Sequence, residues 1–515
     1  MNNKSIPATR YNFALVFFVA LGSFTYGFNA SIMGTVFGLA PFFSYFNLDL
    51  TGPGADYANS MIGATNGLFS AGGIIGCLLM TKLVDRFGRK RTIQGICAIC
   101  VVSVIFQAAA VHIAMLLVGR FLNGLGSGMM NVIIPLYQSE VAPPHIRGRM
   151  VGAHGFCLVL GYVSSLYVPG LYPLIMTNTI LYLQNFAAWT GLGCYFATNP
   201  QMQWRLCLAL PAVAPGILGL GSSLIPESPR WLVTQDRGTE ALDVLTKLHH
   251  QPGNSDNEAA QSECRAIKTQ LMAESSEPKS FVGIMRKPSY RKRILIGIFV
   301  QCIAQSTGVL VINNYQVLLY NGLGLTGYLP LLLYGVYTAW AAFLNWVGAM
   351  FVDKFGRILM LTVGLVGCAL MVAGEAAIVA VAAENKNNHA INAAGVFFLF
   401  VFVTFYATCI DAISYIYCTE IFPTSIRAKG VSYSVIGLFI MTLIYTQPAP
   451  IAFAQVGWKY YLVFVIVPLL GAPVVYFMFP ETKGLSLEEI GTLFDDGNED
   501  STIEVREDVA EKLDF

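Results

Sequence analysis

Gln301 and Gln305 stand one helical step apart in an apolar run, and Asn313, Asn314 and Tyr315 follow them. Side chains at i and i+4 share a helix face. Each amide offers donors and acceptors together, so the set suits a neutral ligand rich in hydroxyls. Amides buried without a partner are expensive, so this segment is expected to line a polar cavity. Arg120, Glu375 and Asp411 form a second group, each inside a long apolar run. Ionisable residues at membrane depth are rare and normally paired or functional. Glu375 reads equally as a structural carboxylate held by a hydroxyl and as a proton-carrying group. His154 can titrate near neutral pH. The 11 cysteines, Cys97, Cys100, Cys207 and Cys368 among them, are scattered through apolar runs and read as small core hydrophobes. No nucleotide loop, metal cluster or catalytic triad is legible, so neither an enzyme nor a cofactor is expected.

A third group is duplicated. Asp85-Arg-Phe-Gly-Arg89 returns as Asp353-Lys-Phe-Gly-Arg357, 268 residues later. Glu140-x-x-Pro143-x-x-x-Arg147 returns as Glu420-x-x-Pro423-x-x-x-Arg427, 280 residues later. Arginine pairs strongly with carboxylates. Each half therefore supplies a network: Asp85, Arg89, Glu140 and Arg147, then Asp353, Arg357, Glu420 and Arg427. Such a network can latch one face of a carrier shut.

The elements that position these residues follow from composition. Charged residues are 12% of the 515 and hydrophobic ones 55%, against about 25% charged in a soluble domain. A water-coated globule and a disordered chain are both excluded. Apolar runs start near Tyr11, Ser60, Thr92, Ala114, Met150 and Leu206, then near Ile294, Thr326, Leu359, Asn392, Val431 and Tyr460. At about 20 residues per crossing the chain reads as an all-α membrane protein of twelve transmembrane helices in two six-helix halves. The first run is too long for a cleavable signal peptide and reads as a helix.

The expected divisions are a terminus at 1–10, an N-terminal half at 11–232, a helical linker at 233–293, a C-terminal half at 294–480 and a tail at 481–515. Lysine and arginine cluster between successive helices on one side, at Asp85–Arg91, Arg147–Arg149, Arg286–Arg293, Asp353–Arg357 and Arg427–Lys429; Lys386 and Lys459 are exceptions. By the positive-inside rule both termini and the linker are expected in the cytoplasm, with the plasma membrane as the site. The net charge of +1 gives no reason to expect a nucleic-acid partner. The first half is longer: 86 residues separate Glu140 from Pro226, but 60 separate Glu420 from Pro480. The excess is assigned to about 166–187, either as an insertion or as a gene-model artefact such as a retained intron. Two parallel repeats are expected to place a site at their interface near the membrane midplane.

The chain also resembles a known family. Gly119-Arg-Phe-Leu-Asn-Gly-Leu-Gly-Ser-Gly128, with Pro135-Leu-Tyr137, Glu140 and Arg147-Gly148, is similar to the sugar porter signature of the major facilitator superfamily. Pro226-Glu-Ser-Pro-Arg-Trp-Leu232 and Pro480-Glu-Thr-Lys-Gly-Leu-Ser-Leu-Glu-Glu489 are similar to two further hallmarks. The resemblance spans about residues 10–490 and has the flavour of fungal members. It implies the major facilitator fold, alternating access, a monosaccharide-sized site between the halves, a sugar substrate in a lipid surrounding, and a monomer. Thr81 and Ala349 stand where the family has glycine before each motif aspartate.

The resemblance assigns residues as well. In proton-coupled members the arginine matching Arg120 faces an aspartate; here the matching residue is Asn29, which implies facilitative uniport, with proton symport as the alternative. Gln305 matches a sugar ligand, and Asn314 and Tyr315 match the aromatic pair that closes over the sugar, with the first aromatic replaced by asparagine. Other family ligands are replaced by Gly155, Ala304, Leu310 and Ala341, and the tryptophan expected on the tenth helix is Tyr415, with Tyr406 and Tyr417 nearby. Either His154, Asn345, Asp411 and Tyr415 rebuild the hydrogen bonds, or the substrate is a polyol, a sugar acid or another relative of the ordinary hexose. A non-transporting sugar sensor is the remaining reading, and the short segment after Pro480 argues against it.

Overall fold

The computed structural model describes residues 10–50, 52–141, 186–249, 258–274, 281–384, 389–423, 426–485, 490–491 and 493–494. These are mostly helical, joined by turns, with no strand among the described residues. The first half contains α1 (Arg10–Val36), α2 (Ala55–Phe87), α3 (Arg89–Ala108), α4 (Ile113–Val141), α5 (Phe186–Tyr195) and α6 (Pro200–Gly221). The second contains α7 (Pro288–Gly322), α8 (Leu329–Phe355), α9 (Arg357–Glu384), α10 (His389–Glu420), α11 (Arg427–Thr446) and α12 (Tyr461–Met478). Among the described residues nine stretches are long and apolar enough to cross a membrane. The last of them, Lys429–Met478, holds both α11 and α12. With α5 and the shorter apolar stretch of α8 the helices number twelve. Residues 142–185, including His154, Arg147 and most of the segment at 166–187, lie outside the described residues.

Four short helices, Pro229–Thr234, Gly238–His249, Glu258–Glu274 and Phe281–Arg286, connect the halves. Pro229 opens the first of these behind Ser228, whose hydroxyl accepts from the Trp231 amide at 3.3 Å; proline at the first helical position and serine at the cap suit a helix start. The second and third pack through Leu245, Ala260, Cys264 and Ile267, an apolar stripe too small to fold alone.

Two helices are interrupted at the level of the interior polar groups. In α7 the helix ends at Gln305 and resumes at Val309, because Gly308 adopts φ +87°, a conformation that side chains with a Cβ rarely take. In α10 the turn Ala407–Asp411 is a π-helix, a widening that tends to occur at functional sites. Broken helices at membrane depth are tolerated where they line a cavity.

Candidate functional site at the interface of the two halves

A cavity lined by polar and aromatic side chains lies between α1, α7, α8, α10 and α11. Six of the expected ligands line it: Gln305, Asn313, Asn345, Tyr406, Asp411 and Tyr415. Asp411 Oδ2 accepts from Asn345 Nδ2 at 2.9 Å, which joins the π-turn of α10 to α8. The amide oxygens of Gln305, Asn313 and Asn345 are buried without a hydrogen-bond partner. Three orphaned acceptors around one space are costly unless a ligand or water completes them.

The remaining expected ligands fall elsewhere. Asn314 lines a smaller adjoining cavity with Tyr26, Asn66 and Phe69. Gln301 lies outside the cavity lining, and its amide donates to Cys418 Sγ at 3.7 Å. Gln301 and Gln305 share the unbroken segment Pro288–Gln305, but Gln301 stands one turn nearer the linker, below the cavity. Tyr315 stacks on Phe37 of α1 at 6.2 Å between ring centroids and donates its hydroxyl to the Thr446 carbonyl at 2.6 Å. It thereby seals the two halves together on the face opposite the linker.

Tyr26, Tyr337 and Thr338 also line the cavity and were not picked out from sequence. Tyr337 had a legible signal, since Tyr337, Ala341 and Asn345 repeat at i+4 along one face of α8. Tyr26 lies about one turn before Asn29 on α1.

Arg120 is fully buried and has no carboxylate partner among the described residues. Its Nη1 donates to the Asn29 carbonyl at 3.0 Å and its Nε to the Thr65 carbonyl at 3.4 Å. The guanidinium also lies 4.4 Å from the Phe69 ring centroid, a cation–π arrangement. The Asn29 side chain is engaged separately: Asn123 Nδ2 donates to its Oδ1 at 2.9 Å.

At the linker face the two halves repeat one another atom for atom. Arg89 donates to Glu140 at 2.6 and 2.8 Å, and Arg357 to Glu420 at 2.8 and 3.1 Å. Tyr137 donates to the Pro226 carbonyl at 2.7 Å, and Tyr417 to that of Pro480 at 2.9 Å. Glu227 and Glu481, one residue further on, accept from the first amides of α3 and α9: Arg89 N at 2.8 Å and Arg357 N at 2.9 Å. A carboxylate there meets unpaired amides and the positive end of the helix dipole. The sequence reading passed over these two glutamates as network members, although they sit in the duplicated Pro-Glu-Ser and Pro-Glu-Thr motifs.

Of the remaining expected network members, Asp85 contributes its carbonyl, which accepts from the Trp231 indole at 3.0 Å. Arg427 donates to the Phe422 carbonyl at 3.2 Å. The Asp353 side chain lies outside the described residues.

Comparison with known proteins agrees with this architecture. A family model described as "Sugar (and other) transporter" matches residues 15–494. The MFS-type transporter criB of Aspergillus cristatus is 32% identical over 481 residues, 92% of each chain. The high-affinity glucose transporter of Kluyveromyces lactis is 28% identical, covering 94% of this chain and 86% of its own. The high-affinity fructose transporter ght6 of Schizosaccharomyces pombe is 28% identical, covering 93% and 86%. Among solved structures, the proton:xylose symporter XylE bound to 6-bromo-6-deoxy-D-glucose superposes with a TM-score of 0.73 at 20% identity, over 94% of this chain and 99% of that one. XylE from E. coli in an inward open conformation gives 0.71 at 20%, over 94% and 100%. The chain is thus a multi-pass membrane protein with the major facilitator fold, and it belongs to the sugar (and other) transporter family.

Proposed function

We propose that the protein carries a sugar-like, hydroxyl-rich solute across the membrane by alternating access, as a facilitative uniporter and without covalent chemistry. The observation that carries this is the interface cavity, lined by Gln305, Asn313 and Asn345, whose amide oxygens are buried without a partner. Sugars present hydroxyls that such oxygens accept, and tyrosine faces suit the ring. The glucose and fructose transporters among the relatives support the substrate class. Uniport is supported by Asn29, which cannot titrate near neutral pH, opposite Arg120.

The duplicated Arg–Glu pairs act as linker-side latches in this reading. The basic clusters support a cytoplasmic linker and termini in a plasma-membrane monomer, with the division of the chain at 1–10, 11–232, 233–293, 294–480 and 481–515. Proton symport is the second reading, favoured by Glu375, whose two carboxylate oxygens are buried without a hydrogen-bond partner.

Radiolabelled uptake in a transporter-null host, across hexoses, pentoses, disaccharides, polyols and sugar acids, tests the transport reading. The expected result is saturable uptake of a hydroxyl-rich solute that survives a protonophore. Gln305→Ala is expected to reduce it at least about tenfold, the equivalent of one lost buried hydrogen bond with its desolvation. Full uptake by that variant would remove Gln305 from the site.

A further inference from the structure

The cavity's acceptors are not equivalent. An asparagine or glutamine side chain can turn over and present its amide donors instead. Asp411 has no such freedom: ionised, its carboxylate only accepts, with about four lone-pair directions. Among the described residues that line the cavity Asp411 is the charged one; no lysine, arginine or second acid accompanies it. Its hydrogen bond from Asn345 at 2.9 Å fixes one oxygen, and Asn345 is further tied to the Ala341 carbonyl at 3.4 Å. The acid stands at the end of the π-turn, which is held on α10 at the cavity wall. Around it Tyr26, Tyr337, Tyr406 and Tyr415 supply aromatic rings, surfaces that attract a cation. A carboxylate at membrane depth with one neutral side-chain partner among the described residues remains electrostatically incomplete.

On these observations, and resting on the transport reading above, we propose that Asp411 is an ammonium subsite. The cavity takes a hydroxyl-rich solute bearing a primary amine, such as an amino sugar or amino polyol, in preference to its neutral parent, and turns away the corresponding acid. The amine donates to the free lone pairs of Asp411 in a charge-assisted bond, roughly twice as strong as a neutral one. The hydroxyls meet the amide oxygens of Gln305, Asn313 and Asn345. An anionic group would be driven against the carboxylate with no compensating base among the described lining residues.

The test uses glucosamine, glucose and gluconate as a matched set, with purified full-length protein in detergent at neutral pH. Thermal stabilisation by each compound reads binding whether or not transport occurs. Glucosamine is expected to half-saturate the shift at a concentration about tenfold below glucose, with no shift from gluconate. Asp411→Asn should collapse the ratio towards one, while Asp411→Glu should keep it. Equal or better binding of glucose by the wild type would overturn the proposal, as would no shift with glucosamine or an unchanged ratio in a folded Asp411→Asn. The wild-type comparison decides the matter even where the variants do not fold. Uptake failing for every solute would sink the transport reading alone, because the binding order is measured separately.

Discussion

Arg120 Nη1 donates to the backbone carbonyl of Asn29 at 3.0 Å, so the cation in the first half is held by a carbonyl and makes no ion pair among the described residues. The charge is spread over the Asn29 and Thr65 carbonyls and the Phe69 ring. Nothing in that set takes up or releases a proton near neutral pH. Wild-type uptake is therefore expected to stay flat between mildly acidic and neutral pH and to survive a protonophore. Asn29→Asp introduces a carboxylate on the residue whose carbonyl Arg120 already holds, where Asn123 now meets the side chain, and its uptake is expected to acquire a pH dependence. Wild-type uptake that collapses with the proton gradient would end the uniport reading.

The latches give an energetic prediction. Arg89 and Glu140 side chains are 9% and 6% exposed, whereas Glu420 retains 24%. Removing one partner of a buried pair costs about 3–5 kcal/mol, because the other charge is left uncompensated. Glu140→Gln is therefore expected to lower thermal stability in detergent more than Glu420→Gln does. The more exposed Glu420 pair is partly screened by water, and Thr482 Oγ1 also donates to Glu420 at 2.6 Å. Equal losses would mean that burial does not set the strength of the two latches.

The turns beneath the latches depend on glycine. Gly88 has φ +81° and Gly356 φ +89°, and a Cβ there would sit 2.6 Å from Glu227 Oε2 or 2.7 Å from Glu481 Oε2. Gly88→Ala and Gly356→Ala are each expected to cost more than about 1 kcal/mol through backbone strain, and to displace the glutamate that caps the next helix. Gly95, inside α3 with nothing within 4 Å of its Cβ position, is the control. Gly95→Ala should be neutral or stabilising by up to about 1 kcal/mol. The comparison is read from melting temperatures of the three variants, and a Gly88→Ala protein as stable as Gly95→Ala would refute the capping account.

The latches were legible because duplication is visible in one dimension: Arg89, Glu140, Arg357 and Glu420 recur in order, and pairing chemistry does the rest. The cavity was legible in part. Residue type marked Gln305, Asn313, Asn345 and Asp411, since amides and acids in apolar runs need partners. Which of them face a common space depends on the break at Gly308 and the π-turn at Ala407–Asp411. Neither has a fixed sequence signature, and the i, i+4 spacing of Gln301 and Gln305 says which face they share but not how deep the cavity reaches. Tyr337 could have been found from its i+4 spacing to Ala341 and Asn345, but for Tyr26 only tertiary packing separates a lining ring from a buried one.

Glu375 on α9 carries the last prediction. It is 2% exposed, and neither carboxylate oxygen has a hydrogen-bond partner. Tyr320 of α7 and Tyr461 of α12 are its neighbours in the bundle. The Tyr461 hydroxyl is itself without a partner, while Tyr320 accepts from Gln316 at 2.7 Å. An unpaired carboxylate in an apolar interior is costly by several kcal/mol. Glu375→Gln keeps the shape and removes any such charge, so it is expected to raise the melting temperature while leaving downhill uptake intact. Glu375→Ala keeps neither shape nor polarity; it opens a cavity beside two tyrosine hydroxyls and should lower stability by about 2 kcal/mol or more. The two roles of this residue separate on uphill uptake measured in proteoliposomes with an imposed proton gradient. A structural carboxylate predicts no accumulation by either the wild type or the Gln variant. Accumulation by the wild type that Glu375→Gln abolishes would instead make Glu375 the proton carrier and replace uniport with symport.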